Sequence, residues 1–68
     1  MNYTIEHEQE VDGRWIAEVP ELPGVMAYGA TQNEAMAKVE ALALRVLAER
    51  LEQNEAQAQN ISIDIAAA

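Results

Sequence analysis

Few side chains in this sequence are of a type that could perform nucleophilic or metal chemistry. His7 is the single histidine, and there is no cysteine. One histidine makes a poor metal site, and Ser62 has no neighbouring histidine that could act as its base. His7 could contact a partner or a metal, but an ordinary strand residue is the favoured interpretation. We therefore expect no enzyme activity, no catalytic residue, no cofactor and no metal site.

Acidic side chains are the more prominent candidates. The chain has 12 Asp and Glu against 4 Lys and Arg, a formal net charge of −8. Affinity for phosphate rests on clustered Lys and Arg, so we expect no direct binding of nucleic acid. Opposite net charge steers association, which favours a basic protein as the partner. The alternative is that the glutamates only form a solvated face. Five of them cluster near the N-terminus: Glu6, Glu8, Glu10, Glu18 and Glu21.

The length of 68 residues predicts one domain, residues 1–68. A domain this small buries only about 60 % of the surface that its unfolded chain exposes. Without cysteine no disulfide can add stability, so we predict a homo-oligomer, a dimer or a tetramer. The N-terminus lacks the basic start and apolar core of a secretory signal, and no apolar run is long enough to span a membrane. We therefore expect a cytoplasmic protein.

Alternation of apolar and polar residues predicts three strands in the first thirty residues. They cover about residues 2–9, 14–19 and 25–30. The first two have the period of two that a half-buried strand requires, whereas the alternation is blurred in the third because most of its residues are apolar. Asp12-Gly13 suits a tight turn between the first two strands. Two prolines and a glycine within residues 19–25 reverse the chain again. Proline fixes its own φ and keeps the preceding residue extended, and glycine accepts backbone angles that other residues avoid.

The alternation also assigns side chains to the two faces of the sheet. Trp15 shares its side of the strand with Ala17 and Val19, which favours a place in the core over the alternative of an anchor for a partner. Ile16 and Tyr28 are the candidates for the opposite face, although the third strand is too apolar for its sides to be assigned firmly. The predicted partner-binding residues are Ile16, Glu18, Glu21 and Tyr28.

A capping box, Thr31-Gln32-Asn33-Glu34, predicts the start of a helix. In such a box the threonine hydroxyl accepts from the glutamate amide, and the glutamate carboxylate reaches back to the threonine amide. With no glycine or proline to stop it, the helix runs to about Glu52, and its broad apolar stripe can cover one face of the sheet. A second strip on the opposite side predicts an oligomer interface at Leu44, Ala48 and Leu51. The alternative is that small alanines are simply good helix formers.

The last part of the chain alternates once more. Residues 54–59 read as a polar connection, with Asn54 a possible left-handed helix end, and residues 60–66 as a fourth strand. The predicted fold class is therefore α+β: three antiparallel strands, one long helix, then a fourth strand. A right-handed crossover would set the fourth strand parallel to the first, with the helix on one face and the other face open.

Two linked motifs stand out in the sequence: Pro20-Glu21-Leu22-Pro23-Gly24 and Gly29-Ala30-Thr31-Gln32-Asn33-Glu34-Ala35. They resemble those of the HicB-like antitoxin family. Members carry a hairpin ending in Pro-x-Leu-Pro-Gly, followed by Gly-x-Thr-x-x-Glu-Ala at the start of the helix. The resemblance covers about residues 2–52 and is to the short, single-domain branch of the family. Both motifs stand at the family's spacing.

This resemblance implies a partial ribonuclease-H-like fold of β-β-β-α-β order. It also implies an antitoxin that binds and neutralises a small basic toxin of the HicA type, a ribonuclease that cleaves messenger RNA. Complete members usually add a C-terminal DNA-binding segment that represses their own operon. The sequence shows no such segment after the fourth strand, so we expect no C-terminal DNA-binding domain. The alternative function is an orphan oligomeric interaction domain of the same fold without a toxin.

The implied fold raises a third hypothesis, a metal-dependent nuclease. Active ribonuclease-H-like enzymes hold two metal ions between carboxylates of the first strand, the helix and the fourth strand. Glu34 is already explained as a capping residue, and the glutamates of the first strand alternate with its apolar side. The family is also described as lacking the catalytic set, so this hypothesis is disfavoured. Its candidates would be Glu6 or Glu8, Glu34 or Glu40, and Asp64.

Overall fold

Three antiparallel strands and one long helix form the fold in a computed structural model. The structure describes residues 2–53 and, by their backbone alone, residues 62–65. The predicted α+β class is confirmed, although β2 and β3 are each one residue shorter at both ends than predicted. The elements are β1 (Asn2–Gln9), β2 (Trp15–Glu18), β3 (Met26–Gly29) and α1 (Gln32–Glu52).

Residues 62–65 follow an extended backbone course beside β1, here named β4 (Ser62–Ile65). This segment runs parallel to β1, with Asn2 in register with Ser62. The three antiparallel strands follow the order β3-β2-β1. The predicted helix end at Asn54, the connection that follows it and both ends of the predicted fourth strand lie outside the described residues.

The hairpin between β1 and β2 closes through a short loop. The amide of Glu10 donates to the carbonyl of Arg14 at 2.7 Å, and the amide of Gly13 donates to the carbonyl of Glu10 at 2.9 Å. Gly13 has a φ of +93°, which glycine adopts without steric cost. The turn predicted at Asp12-Gly13 is therefore confirmed, as a β-turn followed by a glycine of positive φ.

The proline corner consists of two consecutive β-turns that share Leu22. The amide of Leu22 donates to the carbonyl of Val19 at 2.9 Å, and the amide of Val25 donates to the carbonyl of Leu22 at 3.0 Å. Each proline stands second in its turn, where its fixed φ fits, and Gly24 stands third in the second turn with a φ of +87°. Leu22 itself is buried. The corner thus turns the chain and also places a large side chain in the core.

The junction of β3 and α1 is tightly packed at Gly29. A Cβ at Gly29 would lie 2.5 Å from the amide nitrogen of Ala35, closer than side chains approach a backbone. The hydroxyl of Thr31 accepts from the amide of Glu34 at 3.1 Å, as the capping box predicts. The second hydrogen bond of the capping box, from the Thr31 amide to the Glu34 carboxylate, differs from the prediction. The pKa of Glu34 is lowered mainly by a hydrogen bond from Lys38, and the backbone amide that contributes is that of Ala30.

The core lies between α1 and one face of the sheet. Trp15 is partly buried and packs against this core, so its interpretation as a core residue is confirmed. Within residues 2–53 and 62–65, no helix has the length and apolar content needed to cross a membrane. The buried apolar side chains of the described residues are those of Tyr3, Ile5, Ala17, Val19, Leu22, Val25, Ala35, Val39, Ala43 and Leu47.

Candidate functional site on the open sheet face

The face of the sheet turned away from α1, the open face, carries the side chains predicted to bind a partner. Burial of Ile5 and Ala17 marks the helix-facing side of their strands, and alternate residues point the other way. Strand register then sets these alternate residues in two rows across the sheet. The rows are Glu8, Ile16 and Tyr28, and Glu6, Glu18 and Met26.

One half of the open face is an apolar patch, defined by Ile16, Met26 and Tyr28. Tyr28 lies directly opposite Ile16 in the register of β2 and β3. Met26 and Tyr28 are 44 % and 43 % exposed, whereas Ile16 is half-buried. Large exposed apolar side chains side by side on a sheet are typical of an interaction surface. The predicted position of Ile16 and Tyr28 on this face is confirmed.

Arg14 borders the apolar patch. Its guanidinium carbon lies 4.9 Å from the centre of the Tyr28 ring, within the range of a cation–π contact. Its Nε donates to Oδ2 of Asp12 at 2.8 Å. The pKa of Asp12 is lowered, first by the hydrogen bond from the Arg14 amide and then by the Arg14 side chain. The charge of Arg14 is thereby paired, so it offers little repulsion to a cationic partner.

The other half of the open face is an acidic depression of about 310 Å³. Glu6 and Glu18 stand directly opposite one another on β1 and β2. Like charges in such a pair destabilise a sheet, so the free protein keeps an unfavourable arrangement here that a positive charge would relieve. The residues that line the depression are Glu6, His7, Glu8, Glu10, Ile16 and Glu18.

Glu21, the other predicted partner-binding carboxylate, lies apart from the depression. It sits in the proline corner and is exposed. Its Oε1 accepts from the amide of Thr4 at the long distance of 3.4 Å. Continuing the register of β1 and β2 would place Thr4 opposite Pro20, which has no amide. The Glu21 carboxylate therefore lies at the end of this strand pair, beside the Thr4 amide, and its role in binding a partner stays a prediction.

His7 faces α1 and is half-buried. Its ring lies 6.0 Å from that of Trp15, at an angle of 54°. Its Nε2 lies 3.2 Å from the amide nitrogen of the Gln32 side chain, and its buried Nδ1 has no hydrogen-bond partner among the described residues. The His7 ring thus lies between β1 and the helix start, on the opposite side of the sheet from the side chains of Glu6 and Glu8, in agreement with the strand interpretation.

The outer strip of α1, predicted as an oligomer interface, points away from the sheet. Leu44 is 52 % exposed, Ala48 is exposed and Leu51 is half-buried. Its role as an interface stays a prediction. Leu44 is the one large side chain of the three that stands fully at the surface.

The carboxylates of the nuclease hypothesis whose side chains are described do not converge. Glu6 and Glu8 point to the open face, while Glu34 lies at the start of α1 on the other side of the sheet, where Lys38 Nζ binds it at 3.0 Å. Glu40 is exposed on the helix. Within the described residues no three His, Cys, Asp or Glu side chains are grouped as metal ligands would be. The side chain of Asp64 is not among those described.

Sequence reasoning missed Met26 and Arg14 as parts of the open face. The signal for Met26 was its two-residue spacing from Tyr28, which the apolar neighbours Val25 and Ala27 obscured. The position of Arg14 over Tyr28 depends on the strand pairing and could not be predicted from spacing.

Comparison with family models, curated proteins and solved structures gave no match for this chain.

Proposed function

We propose that this chain is a HicB-like antitoxin that acts in the cytoplasm, where it binds and neutralises a small basic mRNA-cleaving ribonuclease of the HicA type. The two motifs that carry the resemblance support this. Each motif has a defined place in the fold: the prolines and Gly24 in the double turn, Gly29 against α1 and Thr31 at the helix cap. The proposal includes β4 as the fourth strand of a partial ribonuclease-H-like sheet, which its parallel register with β1 supports.

The observation that carries the binding function is the composition of the open face. A surface that binds the RNA-binding side of a basic toxin must supply negative charge and an apolar contact. The open face has the acidic depression beside the apolar patch, with Glu18 in one row with Met26. Bound there, the antitoxin would cover the toxin's basic surface and exclude messenger RNA.

The area of an ordinary protein interface is a substantial share of the surface of so small a domain. A stable interface takes roughly 800 Å² from each partner, and the whole chain exposes 4615 Å². A toxin of ordinary affinity would therefore cover about a sixth of the accessible surface. The proposed interface therefore includes the acidic depression as well as the apolar patch.

A low-salt pull-down of the tagged protein from lysate of its own source tests this proposal. We expect mass spectrometry to identify a small basic protein with a double-stranded-RNA-binding-like sequence. The Glu18→Lys variant should lose this protein. Glu40→Lys, an equal charge change on the helix, should retain it because Glu40 is exposed on the other layer. Equal recovery with both variants would contradict binding at the open face.

A second candidate function is an orphan oligomeric interaction domain of the same fold. The exposure of Met26 and Tyr28 on a strand at the edge of the sheet favours self-association independently of any toxin. In the same pull-down, recovery of the chain alone would support this candidate and contradict the antitoxin.

A further inference from the structure

The outer edge of β3 has no strand neighbour among residues 2–53 and 62–65. The sheet order places β3 first, paired on one side with β2. An unpaired strand edge presents amide and carbonyl groups that pair readily with another strand. Proteins usually protect such an edge by keeping the strand very short, or with charges, proline, a bulge or a covering segment. β3 has four residues, so its length gives some of this protection.

The register shows which backbone groups this edge presents. The amide of Val19 donates to the carbonyl of Val25 at 3.0 Å, so Val25 directs its carbonyl towards β2. In an antiparallel pair the inward-bonding residues alternate. Ala27 and Gly29 therefore bond to β2 as well, and the N–H and C=O groups of Met26 and Tyr28 point outward from the sheet.

The side chains at this edge do not prevent another strand from pairing with it. Residues 25–30 include neither a charged residue nor a proline. Met26 and Tyr28, which present the outward backbone groups, are also the large exposed apolar side chains of β3. The segment is uncharged in a chain whose net charge of −8 opposes contact between copies through most other surfaces.

We propose that two copies of this chain dimerise by antiparallel pairing of β3 about a two-fold axis at Ala27. Met26 of each copy then lies opposite Tyr28 of the second copy and exchanges both backbone hydrogen bonds with it, so that each copy contributes equally. Such a contact is self-complementary, as a two-fold interface requires. The small Ala27 side chains face each other on the helix side, in a pair without hydrogen bonds between them.

The pairing joins the apolar patches of the two copies. Across the new junction each row continues from Met26 to Tyr28 and Ile16 of the second copy. The dimer thus carries one central apolar stripe with an acidic depression on either side. Formation of this dimer does not depend on the identity of any toxin. The β3 interface also differs from the outer strip of α1, which offers one large exposed side chain, Leu44.

The first test is the mass of the full chain in sedimentation equilibrium. The wild type should have twice the single-chain mass of 7.5 kDa. Met26→Lys with Tyr28→Lys sets lysine opposite lysine in both cross-strand pairs of the dimer, so this variant should fall to the single-chain mass. In the monomer the lysine introduced at position 26 lies beside Glu18, which favours folding.

A matched control changes the net charge equally on the outer strip. Leu44→Lys with Ala48→Lys should keep the twofold mass. A wild type at the single-chain mass would overturn the proposal. So would a dimer that survives the β3 change, or one lost only through the helix change.

A second variant tests the register and does not depend on the lysine pair being tolerated. Opposite residues in a non-hydrogen-bonded antiparallel pair have Cα atoms about 4.5 Å apart, within disulfide range. Ala27→Cys, in a chain without other cysteine, should form a covalent dimer on mild oxidation, and Leu44→Cys should not. Equal cross-linking of both variants, or none at Ala27→Cys, would contradict the proposed axis.

Discussion

Single residues determine the closest backbone contacts and the tight turns of this fold, and Gly29 is the clearest case. The closest atoms to a Cβ at Gly29 are backbone atoms of Ala35 and Glu34, which cannot rotate away as a side chain could. The close packing of β3 against the start of α1 therefore depends on a missing side chain. The same logic does not hold at Gly24, where nothing lies within 4 Å and a positive φ is the reason for glycine.

Gly29→Ala is predicted to destabilise the fold by about 1–3 kcal/mol, the usual range for overpacking. The physical reason is the 2.5 Å approach to the Ala35 nitrogen, which forces the strand and helix apart. Urea unfolding monitored by circular dichroism measures the change. Ala30→Ser, at the exposed next position, should stay within about 0.5 kcal/mol of wild type. An unchanged stability of Gly29→Ala would show that the junction can open without cost.

The ion pair of Glu34 and Lys38 predicts a pH-dependent contribution to stability. The hydrogen bond from Lys38 lowers the pKa of Glu34 from its ordinary value of 4.5. A carboxyl whose pKa is lower in the folded state stabilises the fold above its unfolded pKa, and loses this contribution as the pH falls through the folded pKa. Glu34→Gln should therefore lower the urea midpoint at neutral pH, and the difference from wild type should shrink below pH 4.5.

The control for this prediction is Glu40→Gln, an exposed glutamate of the same helix for which the described contacts include no salt bridge. Its difference from wild type should change less with pH. A Glu34→Gln difference that is constant from neutral to acidic pH would contradict a stabilising role for the ionised Glu34 carboxylate.

At the scale of elements, the pairing of β1 with β2 sets two glutamates face to face. Glu6 lies opposite Glu18 in the register, on the sheet face that α1 leaves uncovered. An arrangement that costs stability in the free domain is consistent with a surface that meets positive charge in a complex. In the proposed complex, Glu18 would therefore affect both the stability of the domain and the binding of its partner.

Glu18→Lys should stabilise the free domain, by roughly 0.2–1 kcal/mol, because it replaces a like-charge cross-strand pair with an opposite-charge pair. The same change is expected to abolish capture of a basic toxin. Thermal and urea unfolding of Glu18→Lys beside Glu40→Lys measures the first effect, and the second variant should show little gain. Destabilisation by Glu18→Lys would mean that the two carboxylates are not opposed on the open face.

At the scale of the whole molecule, net charge acts in opposite directions on the two proposed associations. Binding of a basic toxin by a chain of charge −8 is attractive, and salt screens it. Pairing of two identical acidic chains through the uncharged β3 is opposed by the same charge, and salt relieves the repulsion. A change in ionic strength therefore distinguishes binding of the toxin from dimerisation of the chain.

Raising the ionic strength from about 0.01 M to about 0.15 M shortens the Debye length from about 30 Å to about 8 Å. Toxin association should become slower by about tenfold or more, as steered encounters do, while the dimer of the chain alone should be retained or become tighter. Stopped-flow association and sedimentation at both ionic strengths measure the two effects. A dimer that dissociates as salt rises would contradict pairing through an uncharged edge.

The sequence by itself determined the local structure of this protein. Proline at positions 20 and 23, glycine at 13 and 24, and the Thr31 cap act on backbone angles and hydrogen bonds within a few residues, so their effects can be read from the chain. The period of two in β1 and the long apolar stripe of α1 are likewise local. For these reasons the first three strands and the helix are predictable to within about one residue at their ends.

Only the tertiary structure decided which residues share a surface. The pairing of β1, β2 and β3 brings Glu6 opposite Glu18 and Ile16 opposite Tyr28, although 12 residues separate each pair along the chain. It also places Arg14 over Tyr28 and directs the Met26 backbone to an unpaired edge. The turn fixes the register within a hairpin, but the order of the strands and the face of the sheet that α1 covers depend on packing between distant segments.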